Sequence, residues 1–126
     1  MSKKAVATAG APAAIGPYSQ GIVAGGMVYI SGQLPIDMAT GDMVTDVKAG
    51  VKACLDNALA IAEAAGANKN SFVKMTMFLT DMNDFAAANE AYAAFFDGTT
   101  PPARSAFQVC KLPKGAVVEI EAIAAI

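Results

Sequence analysis

The chain has 126 residues, 55% of them hydrophobic and 16% charged, with a net charge of −2, no histidine and no tryptophan. That inventory excludes a Ser-His-Asp triad, a Cys-His pair and a histidine-ligated metal, and its scattered lysines form no basic patch for nucleic-acid phosphates. No run approaches the roughly 20 apolar residues of a membrane helix, so the surplus of Ala, Val and Ile points to a core plus a subunit interface.

The N-terminal stretch MSKKAVATAGAPAAIG places two lysines before an Ala-rich run, as a signal peptide does. Gly10, Pro12 and Gly16 interrupt it before a compact apolar segment forms, and the expectation is that it is not one. Residues 5–8 read as a short strand. Residues 19–24 and 27–32 read as an antiparallel hairpin, because the Gly25-Gly26 pair between them tolerates the positive φ angles of a tight turn. A polar turn around Thr40, Gly41 and Asp42 follows. Over residues 46–65 the apolar positions Val47, Val51, Cys54, Ala58, Ile61, Ala62 and Ala65 recur mostly at steps of three and four, predicting an amphipathic helix closed by Gly66.

Residues 71–80, SFVKMTMFLT, read as a strand. A second helix is expected through Phe96, capped by Asp81 or Asn83, with Phe85, Ala88, Tyr92 and Phe95 along one side. Gly98 and the Pro101-Pro102 pair stop it. Strands over 104–110 and 117–126, separated by the turn KLPKG, complete the chain. The order β-β-β-α-β-α-β-β predicts one α+β domain over residues 1–126, a sheet of about six strands with helices on one face. Cys54 and Cys110 lie outside any C-x-x-C pair and read as apolar fillers, which suits a reducing cytoplasm.

Two features carry candidate chemistry. In the last strand Val118, Ile120, Ala122 and Ala124 face one way while Glu119 and Glu121 face the other. That face is either solvated or a partly desolvated cleft in which a glutamate acts as base with a raised pKa. A glycosidase pair is set aside, because no tryptophan offers a sugar platform. Arg104, the chain's only arginine, stands at the start of a strand. It reads either as half of a structural ion pair or as a clamp for a small carboxylate, whose two oxygens its planar fork matches. No P-loop or G-x-G-x-x-G occurs, so nucleotide phosphates have no obvious cradle.

The stretches IGPYSQGIVAGGMVYISGQLP and PPARSAFQVCKLPKGAVVEIEAIA resemble the reactive intermediate deaminase (YjgF-like) family, and within it the RidA subgroup of 2-iminobutanoate/2-iminopropanoate deaminases. The resemblance runs from Ala5 to Ala124. It implies a chorismate-mutase-like fold with a mixed sheet, a homotrimer with clefts between subunits, and a cytoplasmic setting. It also implies cofactor-free hydrolysis of enamines and imines to 2-oxo acids and ammonia.

Residue by residue, Arg104 matches the arginine that grips the substrate carboxylate, and Glu119 the glutamate that positions or activates water. Tyr18, Ser31 and Asn89 match other cleft-lining positions, with the Gly32 backbone beside them. Ala106 departs from the cysteine usual two residues after the arginine; its backbone is expected to face the substrate. Tyr29 and Tyr92 read as packing. Two rival readings are a non-catalytic sensor of 2-oxo or amino acids and a translation inhibitor or endoribonuclease. The acidic charge balance and the missing histidine oppose the latter. Chorismate mutase chemistry, suggested by the fold alone, is disfavoured because a dicarboxylate would call for more than one arginine.

Overall fold

A computed structural model describes residues 2–126. Six strands and two helices follow the expected order: β1 (Lys4–Val6), β2 (Gly21–Ala24), β3 (Met27–Gln33), α1 (Val47–Ala64), β4 (Phe72–Leu79), α2 (Phe85–Phe95), β5 (Ala103–Gln108) and β6 (Val118–Ala125). The strands form one sheet in the order β1-β2-β3-β6-β4-β5. All neighbours are antiparallel except β4 and β5, which run parallel. A parallel pair needs a crossover connection, and α2 supplies it.

Local chemistry explains the elements. Gly25 and Gly26 both have positive φ, 59° and 76°, so the β2–β3 hairpin turns tightly and pairs Ala24 with Met27. Asp46 accepts a hydrogen bond from the Ala49 amide at 2.9 Å and caps α1. Lys52 and Asp56 pair at 2.6 Å one turn apart on the exposed side. Gly66, at φ 95°, ends the helix in the left-handed region.

The second helix departs from expectation. Asp81 accepts from the Asn83 amide, but the turn it caps is a short 3-10 segment, Met82–Asp84. Helix α2 begins at Phe85 without a side-chain cap, because the 3-10 turn already leads the chain into the helical region. Strand β5 ends at Gln108 because β4, its one neighbour, ends at Leu79.

The core lies between one sheet face and the helices. Met75, Met77 and Leu79 of β4 and Val118, Ile120 and Ala122 of β6 pack with Val51, Leu55, Ala58 and Ile61 of α1. Each fully buried Leu, Ile, Val or Met contributes about 1.5–3 kcal/mol through removal from water. The register pairs Met75 with Ala122, Met77 with Ile120 and Leu79 with Val118, so the two-residue alternation of both strands feeds a single core. The other face carries Tyr29 of β3, Phe107 of β5, Glu119 and Glu121. Tyr29 and Phe107 are 47% and 53% exposed, leaving large apolar groups on an open sheet surface.

Candidate active site

Two clefts, each with a few polar groups set in a mostly apolar lining, hold most of the residues singled out from sequence. The first forms around Glu119. Between the pairs Ile30–Ala122 and Gln33–Ile120, Ser31 and Gly32 together stand opposite Glu121, a bulge in β3. The bulge brings the Gly32 backbone against the Glu119 side chain: a Cβ at position 32 would lie 2.8 Å from the Glu119 carboxyl carbon. The Ser31 hydroxyl donates to the Ser19 carbonyl at 2.6 Å, tying the bulge to the preceding loop. A cavity of about 540 Å³ opens here, lined by Tyr18, Ser31, Gly32, Lys114 and Glu119 among others.

Glu119 is half-buried. Burial raises its pKa above the ordinary carboxylate range, and the Glu121 charge on the same face adds to the rise.

The wall of this cavity is anchored by Gln20, which is itself buried. Its side-chain amide donates to the carbonyls of Thr8, Ala11 and Pro12, and its oxygen accepts from the Thr8 amide at 2.7 Å. Pro12, Ala13 and Ile15 of that segment line the cavity. Lys114 lines it from the other side at φ 57°, the one non-glycine left-handed residue among those described. Such backbone positions gather at functional sites.

The second cleft surrounds Arg104. Its β5 position pairs with Met75, whose side chain is in the core, so Arg104 projects from the helix face. Arg104 Nη1 donates to Asn89 Oδ1 at 2.7 Å. The guanidinium carbon lies 4.7 Å from the Tyr92 ring centroid and 5.4 Å from that of Phe85. Phe85, Asn89 and Tyr92 share one side of α2, at spacings of four and three. Pro101 and Pro102 complete a cavity of about 490 Å³.

Among the described residues the ion pairs are Lys48–Glu90 and Lys52–Asp56. Arg104 therefore meets an amide oxygen and two aromatic faces, and among the described residues it pairs with no carboxylate.

The two clefts do not meet within one chain. Arg104 shares its face with Met75, Met77 and Ala122, whereas Glu119 and Glu121 pair across β4 with Phe78 and Thr76 on the opposite face. Strand β4 stands between β5 and β6. Tyr18, Ser31, Gly32 and Glu119 come together; Asn89 and Arg104 come together elsewhere. Ala106 pairs with Met77 and packs partly buried against the core, so a cysteine there would place its sulfur on the core side.

Sequence reasoning missed Gln20 and Lys114, and it assigned Tyr92 to packing alone. Tyr92 does pack, but it also lies beneath the arginine. The spacing of Phe85, Asn89 and Tyr92 was the available signal.

A twisted sheet backed by two helices, with a half-buried glutamate at a bulge and an arginine free of carboxylates, defines a small α+β protein of the YjgF-like class. Residues 8–126 match the family described as Endoribonuclease L-PSP, and the chain belongs to this family of YjgF/RidA proteins. It is 50% identical over 123 residues to the 2-iminobutanoate/2-iminopropanoate deaminase of Escherichia coli, covering 96% of each chain. The crystal structure of E. coli TdcF with bound serine superimposes with a TM-score of 0.94 at 48% identity, over 98% of each chain. That of RidA from an Antarctic Psychrobacter gives 0.91 at 46% identity, over 98% of this chain and 99% of that one.

Proposed function

We propose that the protein is a cofactor-independent hydrolase of reactive enamine and imine intermediates, converting 2-iminobutanoate and 2-iminopropanoate to 2-oxo acids and ammonia. The observation that carries this reading is the carboxylate-free Arg104, a fixed cation at a cavity of small-molecule size. The names of its relatives point the same way, one being a deaminase of these imines and another holding serine, a small amino acid.

The chemistry follows from the residues. With Nη1 engaged by Asn89, the remaining donors of the Arg104 fork take the substrate carboxylate in its plane. The imine carbon next to that carboxylate is electrophilic once its nitrogen is protonated. Glu119 accepts a proton from water as the oxygen bonds to this carbon, and a carboxylate with a raised pKa suits that exchange. The proton passes to nitrogen, the C–N bond breaks and ammonia leaves, and Glu119, ionised again, takes the remaining hydroxyl proton as the C=O forms. Tyr18, Ser31 and the Gly32 backbone bound the water and amine side of the cavity, and the backbone at Ala106 borders the carboxylate side.

Because Arg104 and Glu119 project from opposite faces, one site draws Arg104 and Asn89 from one copy and Glu119, Tyr18, Ser31 and Gly32 from another. A closed homotrimer with three interface sites satisfies that requirement and covers the exposed Tyr29 and Phe107. Cytoplasmic residence is part of the same reading, since these imines arise from pyridoxal-phosphate enzymes acting on serine and threonine.

The test generates the two imines in situ with a serine/threonine dehydratase and follows 2-oxo acid release. Wild type is expected to accelerate it. Arg104→Lys keeps the charge but loses the fork, with an expected fall in kcat/KM of about 10- to 100-fold. A wild type that binds 2-oxobutanoate without turnover is a sensor, and the proposal fails.

A further inference from the structure

A guanidinium on a four-bond stem does not hold one orientation by itself, and its single side-chain hydrogen bond, to Asn89, leaves rotation about that contact free. Tyr92 supplies a second constraint. Its ring centroid lies 4.7 Å from Arg104 Cζ, inside the range at which an aromatic face attracts a cation. The ring is itself fixed. It packs on Phe96 with centroids 4.9 Å apart, and Phe96 packs edge-on against Phe72 of β4 at 6.3 Å. A chain of aromatic contacts thus connects the sheet to the guanidinium.

The Tyr92 hydroxyl has no hydrogen-bond partner and is sealed from solvent. Among the described residues it is neither donor nor acceptor to the arginine. What the side chain offers Arg104 is the ring.

We propose that Tyr92 is a positioning residue whose ring, with Asn89, sets the orientation in which the Arg104 fork meets a carboxylate. This deepens the function proposed above and rests on it for its kinetic consequence. A contact that acts equally on bound substrate and transition state changes KM more than kcat. Removal of the ring is therefore expected to raise KM for 2-iminobutanoate roughly 3- to 10-fold while kcat stays within about 2-fold.

The single arginine makes a direct test possible, because a chain with one arginine gives one arginine Nε–Hε correlation in a proton–nitrogen NMR spectrum. In the wild-type assembly that signal is expected upfield of a solvated arginine, shifted by the ring currents of Tyr92 and, less strongly, of Phe85. In Tyr92→Leu it moves toward the solvated position, with only the Phe85 ring at 5.4 Å still acting on it, and KM rises. Tyr92→Phe, which keeps the ring, restores both.

An unshifted signal in wild type overturns the proposal, as does a Tyr92→Leu protein with wild-type KM. If Tyr92→Leu does not fold, Phe85→Leu decides in its place: a signal that stays upfield with Phe85 removed supports the seat, and one that falls to the solvated position refutes it. A shifted signal in a wild type inert toward every imine leaves the seat standing and removes the deaminase reading instead.

Discussion

Gly32→Ala separates site geometry from fold stability. The added Cβ would lie 2.8 Å from Glu119 Cδ, 3.0 Å from Oε2 and 3.1 Å from Cγ. Carbon atoms in contact prefer about 3.5–4.0 Å, so the Glu119 carboxyl must swing away by roughly 1 Å. Its side chain is half-exposed and free to turn, which keeps the overpacking cost below the roughly 1–3 kcal/mol of a closed core. Alanine also restricts the unfolded chain, returning about 0.4–1 kcal/mol where the native φ suits it. Gly32 is not among the positive-φ glycines.

The denaturation midpoint should therefore stay close to wild type. A misplacement of about 1 Å at a catalytic group costs on the order of 100-fold in rate. The assay pairs imine turnover, with the substrate generated in situ, with urea unfolding of the same preparation. Gly26→Ala is the counter-control: nothing lies within 4 Å of its Cβ, but its φ of 76° disfavours a side chain, so it should lose about 1 kcal/mol and keep its turnover. Full activity in Gly32→Ala would refute the steric reasoning.

The remaining predictions concern charge and packing. The raised pKa of Glu119 places the acid limb of kcat/KM above its ordinary value of 4.5. Glu121→Gln, by removing a like charge, should move that limb to lower pH in a pH–rate profile. The same shift has a sign in stability. A carboxyl whose folded pKa is raised contributes most below its unfolded value and loses that contribution as pH rises through the folded one. Glu119→Gln should therefore gain stability over wild type between acidic and neutral pH, seen as diverging unfolding midpoints. Gly21→Ala would bring a Cβ 2.9 Å from Ile61 Cγ2 and 3.3 Å from the Tyr29 carbonyl oxygen, inside the sheet–helix layer. It should cost roughly 1–3 kcal/mol in urea unfolding.

Most of the fold was legible because its signals are local. The Gly25-Gly26 turn, the three-and-four spacing of α1 and the alternation of β6 each rest on neighbouring residues, and each appears as expected. The cap of α2 was misread because Asp81 can satisfy an amide of a 3-10 turn as readily as one of a helix. The Ser31-Gly32 bulge left no mark in VYISGQ, since it is defined by what β6 places opposite. The relation of Arg104 to Glu119 was the least accessible. Alternation assigns faces within a strand, but the parallel register of β5 on β4 is set by packing across the α2 crossover, and it alone decides which way Arg104 points. The residues were recognisable by type and by family resemblance; their separation onto two faces was not.

That separation yields the most discriminating experiment on the assembly. If Arg104 and Glu119 serve one site within a chain, every copy of Arg104→Lys or Glu119→Gln is defective, and mixing the two variants restores nothing. If each site takes Arg104 from one copy and Glu119 from its neighbour, a mixed ring contains some junctions at which both contributed residues are intact. Such a junction needs a Glu119→Gln copy to supply Arg104 and an Arg104→Lys copy to supply Glu119. Random reassembly at equal amounts makes roughly a quarter of the junctions of this kind in a closed ring. Co-refolded or co-expressed variants should therefore recover roughly a quarter of wild-type turnover per site, while the same proteins mixed without subunit exchange stay at the variant level. Recovery in the exchanged sample alone ties activity to the junction between copies. Its absence, with exchange verified by mass spectrometry of the intact rings, would place the chemistry within single chains and require Arg104 to leave the helix face on which it sits.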